Sequence, residues 1–162
     1  MSLLKKVFEA YNEHQAVFSQ SEAIAAIAVS AIASDGYLLE QERERVIMLL
    51  SQMEMFKGYS EKQIIHMLNR LLNKLIEKGI NNLVAMANDS LHPEYKKTAL
   101  MLATDIILVD GVLYFREQEF LTRLCQIFKI TPEKISKTFQ VKSEIHQITR
   151  KKSKKYRINK SR

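Results

Sequence analysis

Apolar residues recur along this chain at the spacing of a helix face. Ile24, Ile27, Ala28, Ala31 and Ile32 stand at i, i+3, i+4, i+7 and i+8, which stacks them on one side of a 3.6-residue turn. Ser19 lies three residues ahead of Glu22, the capping-box spacing, so the pattern predicts a helix over 20–34. Its many alanines let a neighbouring helix approach closely, which makes it the expected central element. Asp35-Gly36 ends it, and a second helix is expected over 40–54 with Val46, Leu49, Leu50 and Met53 inward. Ser60 and Gln63 repeat the capping box ahead of Ile64, Leu68, Leu71, Leu72 and Leu75, and Gly79 stops that helix. A shorter helix is expected over 80–88. Pro93 then opens one running to Val109, because the first helical position has no use for the N–H that proline lacks. After Asp110-Gly111 another spans about 116–129, and Thr131-Pro132 starts a last one carrying Ile135, Phe139 and Ile145. Residues 1–18 read as an additional amphipathic helix. The expected fold is all-α, with about seven or eight helices.

The pattern also repeats. Asp35-Gly36-Tyr37-Leu38 followed by Glu42 and Glu44 matches Asp110-Gly111-Val112-Leu113 followed by Glu117 and Glu119, at an offset of 75 residues. Both copies read D-G-x-L-x-x-x-E-x-E. Flanking positions agree as well: Ala28 with Ala103, Ile32 with Ile107, Val46 with Leu121, Leu49 with Leu124. A helix, an Asp-Gly turn and a second helix therefore form a unit that occurs twice within 20–130. Two pseudo-symmetric units of this kind are expected to bury their apolar faces against each other.

Charge divides the chain into a body and a tail. The net charge is +7, yet eight of the 25 Lys and Arg residues lie in 150–162. The remaining 17 face 18 Asp and Glu, so 1–149 sums to about −1. A single helical domain over 1–149 followed by a basic tail without apolar periodicity is the expected organisation. The body is not a general polyanion binder. The tail suits anionic lipid or nucleic acid, and equally suits a solubilising end; Tyr156 alone offers little platform for stacking bases. The longest charge-free apolar stretch, 23–34, has twelve residues and is too short to span a bilayer. With no signal-peptide pattern and one cysteine, Cys125, a cytoplasmic protein is expected.

The Asp-Gly turns hold the candidate chemistry, and two readings apply. In the first, each Gly closes a helix end in the left-handed conformation, Leu38 and Leu113 plug the core, and Glu42 and Glu117 sit near a helix start, where the dipole favours a carboxylate by roughly 0.3–1 kcal/mol. In the second, D-G-x₅-E is the back half of an EF-hand loop, whose Asp and final Glu ligate a cation. The front half is missing, since Ala31 and Ala33 in one copy and Ile106 and Leu108 in the other occupy the earlier ligand positions. A cation would then need ligands pooled from both copies or several waters, which suits Mg²⁺ or weakly bound Ca²⁺.

These paired turns, set between Ala-rich and acidic helices, resemble those of the TerB family of tellurite-resistance proteins over roughly 20–130. The resemblance implies an all-helical, pseudo-symmetric domain that binds a divalent cation through Asp35 and Glu42 of the first turn and Asp110 and Glu117 of the second. It implies a non-enzymatic protein of a stress-response assembly, with protein partners and a membrane-associated complex, peripheral at the inner membrane face. Ser34 and Val109 stand where the family often has Ala. The alternative is a metal-independent scaffold or peripheral membrane or anion-binding module that uses the basic tail.

Other chemistry finds little support. His14, His66, His92 and His146 have no ligand spacing, and Cys125 reads as a small buried apolar residue. All four glycines are assigned to helix ends, which leaves no phosphate-binding loop. No Ser-His-Asp or Cys-His motif can be assembled, and no catalytic residue is expected. Glu40, Glu42 and Glu44 alternate with Arg43 and Arg45, which reads as a solvated helix face beside a local acidic patch.

Overall fold

The computed structural model describes residues 2–7, 18–36, 38–111 and 113–131. Among them there is no strand, and the regular structure is helical. Six α-helices follow one another: α1 (Gln20–Ala33), α2 (Glu40–Ser51), α3 (Glu61–Lys78), α4 (Ile80–Ser90), α5 (Pro93–Ile107) and α6 (Phe115–Phe128). Short 3₁₀ turns at Glu54–Phe56 and Leu108–Asp110 follow α2 and α5. Residues 3–7 are also helical. The expected helix from Pro132 and the tail over 150–162 lie outside the described residues.

Local chemistry sets the helix starts. The Ser19 hydroxyl accepts from the Glu22 N–H at 3.2 Å, and Glu22 Oε1 accepts from the Ser19 N–H at 3.4 Å. Ser60 and Gln63 make the same reciprocal pair at 3.2 and 2.8 Å. Each box satisfies two amides that a bare helix start leaves without a partner. Pro93 is the first residue of α5, as the sequence requires. Gly79 ends α3 and starts α4 in one residue, with φ +85° and ψ 163°, a region open essentially to glycine alone. Gly79→Ala should therefore cost about 1–3 kcal/mol, although nothing lies within 4 Å of the added Cβ. Thermal denaturation checks this; an unchanged midpoint would show that the α3–α4 junction relaxes freely.

Helix α1 is the centre of the molecule. It packs against α2, α3, α4 and α5, and every residue from Ala23 to Ile32 is buried. A helix apolar all round is stable only when covered on all sides. Its two polar intruders are satisfied or near the edge: Ser30 Oγ donates to the Ala26 carbonyl at 2.8 Å, and Ser21 lies at the first turn. In the other repeat, α5 packs on α1, with Ala28 and Ala103 both fully buried. The first helices of the two units thus face each other. Gln20 fastens the start of α1 to the α4–α5 junction: its Nε2 donates to the Ser90 carbonyl at 2.7 Å, and its Oε1 accepts from the His92 N–H at 2.8 Å.

Several boundaries differ from expectation. Helix α2 stops at Ser51, because Met53 is extended (φ −77°, ψ 141°) and the chain turns to bury Phe56. Helix α5 stops at Ile107 and tightens into the 3₁₀ turn rather than running to Val109. Phe18 is not helical: it lies in a bend, is buried in the core, and its N–H donates to Ser90 Oγ at 3.2 Å. Cys125 is buried and free, and burial pushes its thiol above the ordinary value, opposed by a weaker backbone hydrogen bond.

Candidate functional site

Each Asp-Gly turn is made by the end of one helix and the start of the next. In the first, Ser34 Oγ donates to the Ala31 carbonyl at 2.7 Å, and the Gly36 N–H donates to the Ala33 carbonyl at 2.9 Å. Gly36 has φ +87°, which a side chain would strain. Asp35 is half-buried, and Glu42 is the third residue of α2, also half-buried. In the second turn, Gly111 is left-handed at φ 72°, and its N–H donates to the Leu108 carbonyl at 3.0 Å. Glu117 is the third residue of α6 and is only 2 % exposed. Its Oε1 accepts from the Tyr114 N–H at 3.1 Å, the carboxylate half of a capping box. Asp110 lies at the end of the second turn; its side chain is outside the described structure.

A residue that the sequence pattern does not single out reaches the first motif from the helix of the second. A Cβ built on Gly36 would stand 3.2 Å from Arg116 Nη1. Arg116 immediately precedes Glu117, so a side chain from the first turn of α6 reaches the first acidic turn. A side chain at position 36 would press on that guanidinium, which would have to shift by a few tenths of an ångström. Beside it, an open cleft of about 490 Å³ is lined by Ser34, Lys78, Gly79, Asn81, Arg116 and Arg123, among others. Arg123 Nη1 donates to Asn81 Oδ1 at 2.7 Å, and its Nη2 lies 3.7 Å from Glu119. Cationic side chains therefore border the first acidic turn. Helical spacing along α6 places Arg116 and Arg123 on related faces, but no local signal shows that they meet α1 and α4.

Two expectations need correction. Leu38 does not plug the core: it is 47 % exposed, two residues ahead of α2, whereas Leu113 packs partly buried against the core. Arg43 and Arg45 do not form a solvated face. Both are half-buried, and Arg43 Nη2 donates to Asn69 Oδ1 of α3 at 2.5 Å. The Nε atoms of Arg43 and Arg45 are buried without a hydrogen-bond partner among the described residues, and burial lowers the Arg45 guanidinium from its ordinary value. Residues Asp35 to Arg45 thus carry more positive charge inward than the alternation suggests.

The carboxylates supply hard oxygen donors of the kind that Mg²⁺ and Ca²⁺ prefer. Among the described residues, however, no group of three or more His, Cys, Asp or Glu side chains is placed to hold a metal ion, so Asp35, Glu42 and Glu117 do not make a site by themselves. Among the same residues, no helix is long and apolar enough to cross a membrane. The exposed histidines His66 and His92 lie on α3 and at the start of α5, apart from the turns.

No curated protein and no solved structure matches the chain. The family model described as tellurite resistance protein TerB matches residues 21–140, which include both Asp-Gly turns and all six α-helices but the first residue of α1. A match over more than half of the chain, on a helical fold with both acidic turns in place, means that this protein belongs to the TerB family.

Proposed function

We propose that this TerB-family protein is a non-enzymatic, cation-responsive component of a cytoplasmic stress-response assembly, and that it binds a divalent cation through Asp35, Glu42, Asp110 and Glu117. The observation that supports this reading is that the side chain of Arg116, at the start of the helix that bears Glu117, reaches the first acidic turn at Gly36. The acidic motif also recurs at an offset of 75 residues. Asp35 and Glu42 are half-buried, and Glu117 accepts from the Tyr114 N–H through one oxygen. Waters would complete the shell. With Arg116 and Arg123 nearby, the local field is less negative than four carboxylates suggest, so binding is weak. For Ca²⁺ the dissociation constant should fall in the ~10⁻⁴–10⁻³ M range.

Titration calorimetry with CaCl₂ and MgCl₂ tests this directly. Asp35→Asn together with Asp110→Asn keeps the turn shape, since Asn tolerates the same backbone, and removes two charges. The expected result is a measurable heat and a cation-dependent rise in melting temperature for the parent, both abolished in the double variant. Equal behaviour of the two proteins would end the cation reading and leave the turns as helix caps. Protein partners of the assembly would then be sought by affinity capture without regard to divalent ions.

A further inference from the structure

The cleft beside the first acidic turn draws its lining from four helices that are distant in sequence. Ser34 follows α1, Lys78 ends α3, Asn81 belongs to the first turn of α4, and Arg116 and Arg123 stand on α6. Arg116 and Arg123 are seven residues apart, which puts them on one face of α6, two turns or about 10 Å along its axis. Lys78, Arg116 and Arg123 are all exposed, and Glu119 is the one carboxylate among the described residues that line the cleft. The lining therefore carries a local excess of about +2, although 1–149 sums to about −1. Concave walls focus such a field on whatever enters. The cleft is also held in shape: Arg123 Nη1 donates to Asn81 Oδ1 at 2.7 Å, and Asn82 Nδ2 donates to the Lys78 carbonyl at 2.7 Å. These bonds tie α6 to α4 and α4 to the end of α3.

We infer that this cleft binds a small, soluble phosphomonoester that carries hydroxyl groups, of the kind of a sugar phosphate or a nucleoside monophosphate. The guanidinium forks of Arg116 and Arg123 match phosphate oxygens through paired N–H donors, and Lys78 adds a mobile ammonium. One phosphomonoester carries a charge of about −2 near neutral pH, so a single such group balances the excess. The volume of about 490 Å³ lies within the ~300–1,000 Å³ range of small-molecule sites, more than one phosphate group fills. The remaining polar side chains suit hydroxyl groups: the Glu119 carboxylate accepts, and the Asn81 amide nitrogen donates. The start of α4, which no side chain caps, adds its dipole to the field of the three cations. A long polyanion does not fit, because the body around the cleft has no net positive charge. The inference stands apart from the cation reading, since Asp35, Glu42 and Glu117 are not among the residues that line the cleft.

Titration calorimetry of the full chain in EDTA tests this with divalent ions removed. The parent should give a saturable heat with ribose 5-phosphate or AMP, bind inorganic phosphate at least about tenfold more weakly, and give no heat with ribose. Arg116→Gln and Arg123→Gln should each weaken binding by about tenfold or more, the loss expected for a charge-assisted hydrogen bond. Lys62→Gln makes the same charge change on an exposed residue outside the cleft and should bind as the parent does. Circular dichroism checks that each variant is folded, and Arg116→Gln carries the test alone if loss of the Arg123–Asn81 bond loosens α6. Absence of heat with both phosphomonoesters would overturn the inference. So would equal affinity for inorganic phosphate, or an equal loss in Lys62→Gln, which would mark a diffuse charge effect. Displacement of bound AMP by vesicles containing phosphatidic acid would overturn the soluble ligand in favour of a lipid phosphate.

Discussion

Replacing Ile27 with Ala should lower the unfolding free energy by about 2–5 kcal/mol. Ile27 is fully buried near the middle of α1, the helix on which four others pack. Its neighbours along the helix, Ala23, Ala26 and Ala28, are buried as well and have no rotamers with which to fill the vacated space. The cavity therefore persists, and the cost should lie well above simple transfer of the lost methyl groups. For a chain of this size each kcal/mol moves the melting temperature by about 2–4 °C, so a fall of about 5–20 °C is expected. Ile76→Ala on α3 is the control: Ile76 is 80 % exposed, and the change should stay within about 0.5 kcal/mol. Urea denaturation of both variants decides the matter. Similar losses at the two positions would mean that the outer face of α3 is covered in solution and that α1 is not uniquely central.

Glu117→Ala should cost about 1–3 kcal/mol, because it removes a nearly buried carboxylate and leaves the Tyr114 N–H without its acceptor. Glu117→Gln should recover most of that loss, since an amide oxygen fills the same place in a capping box. The pair separates two roles that one residue combines. If Glu117 only caps α6, Gln restores both the stability and any cation heat of the parent. If its charge also serves a cation, Gln restores the stability while calorimetry shows a reduced heat. A Gln variant as unstable as the Ala variant would show that the negative charge itself holds the α6 start together. Thermal melts of the three proteins, without and with CaCl₂, give both readouts.

The sequence and the structure agree most closely where the interactions are local. The capping boxes at Ser19 and Ser60, the proline at the start of α5 and the glycine between α3 and α4 all act within three or four residues. Their geometry is written in short spacings. Helix ends were less legible. Helix α2 carries apolar periodicity past Ser51, yet the chain turns there to seat Phe56, and that competition involves packing partners far along the chain. The candidate site divides in the same way. The motif placed Glu42 and Glu117 near the starts of their helices, but nothing in it showed that Glu117 is buried and hydrogen-bonded while Leu38 stands outward.

By itself, then, the amino-acid sequence determined the helical class, the helix starts, the repeated acidic turn and membership of the TerB family, because periodicity, caps and a ten-residue motif are short-range properties of the chain. Only the tertiary structure decided that Arg116 lies over Gly36, that Arg43 and Arg45 turn inward, that Phe18 belongs to the core and that Leu3, Leu4 and Val7 do not. Each of these depends on which distant helix supplies the neighbouring surface. An apolar or charged side chain carries the same local pattern whether a partner helix covers it or leaves it to solvent.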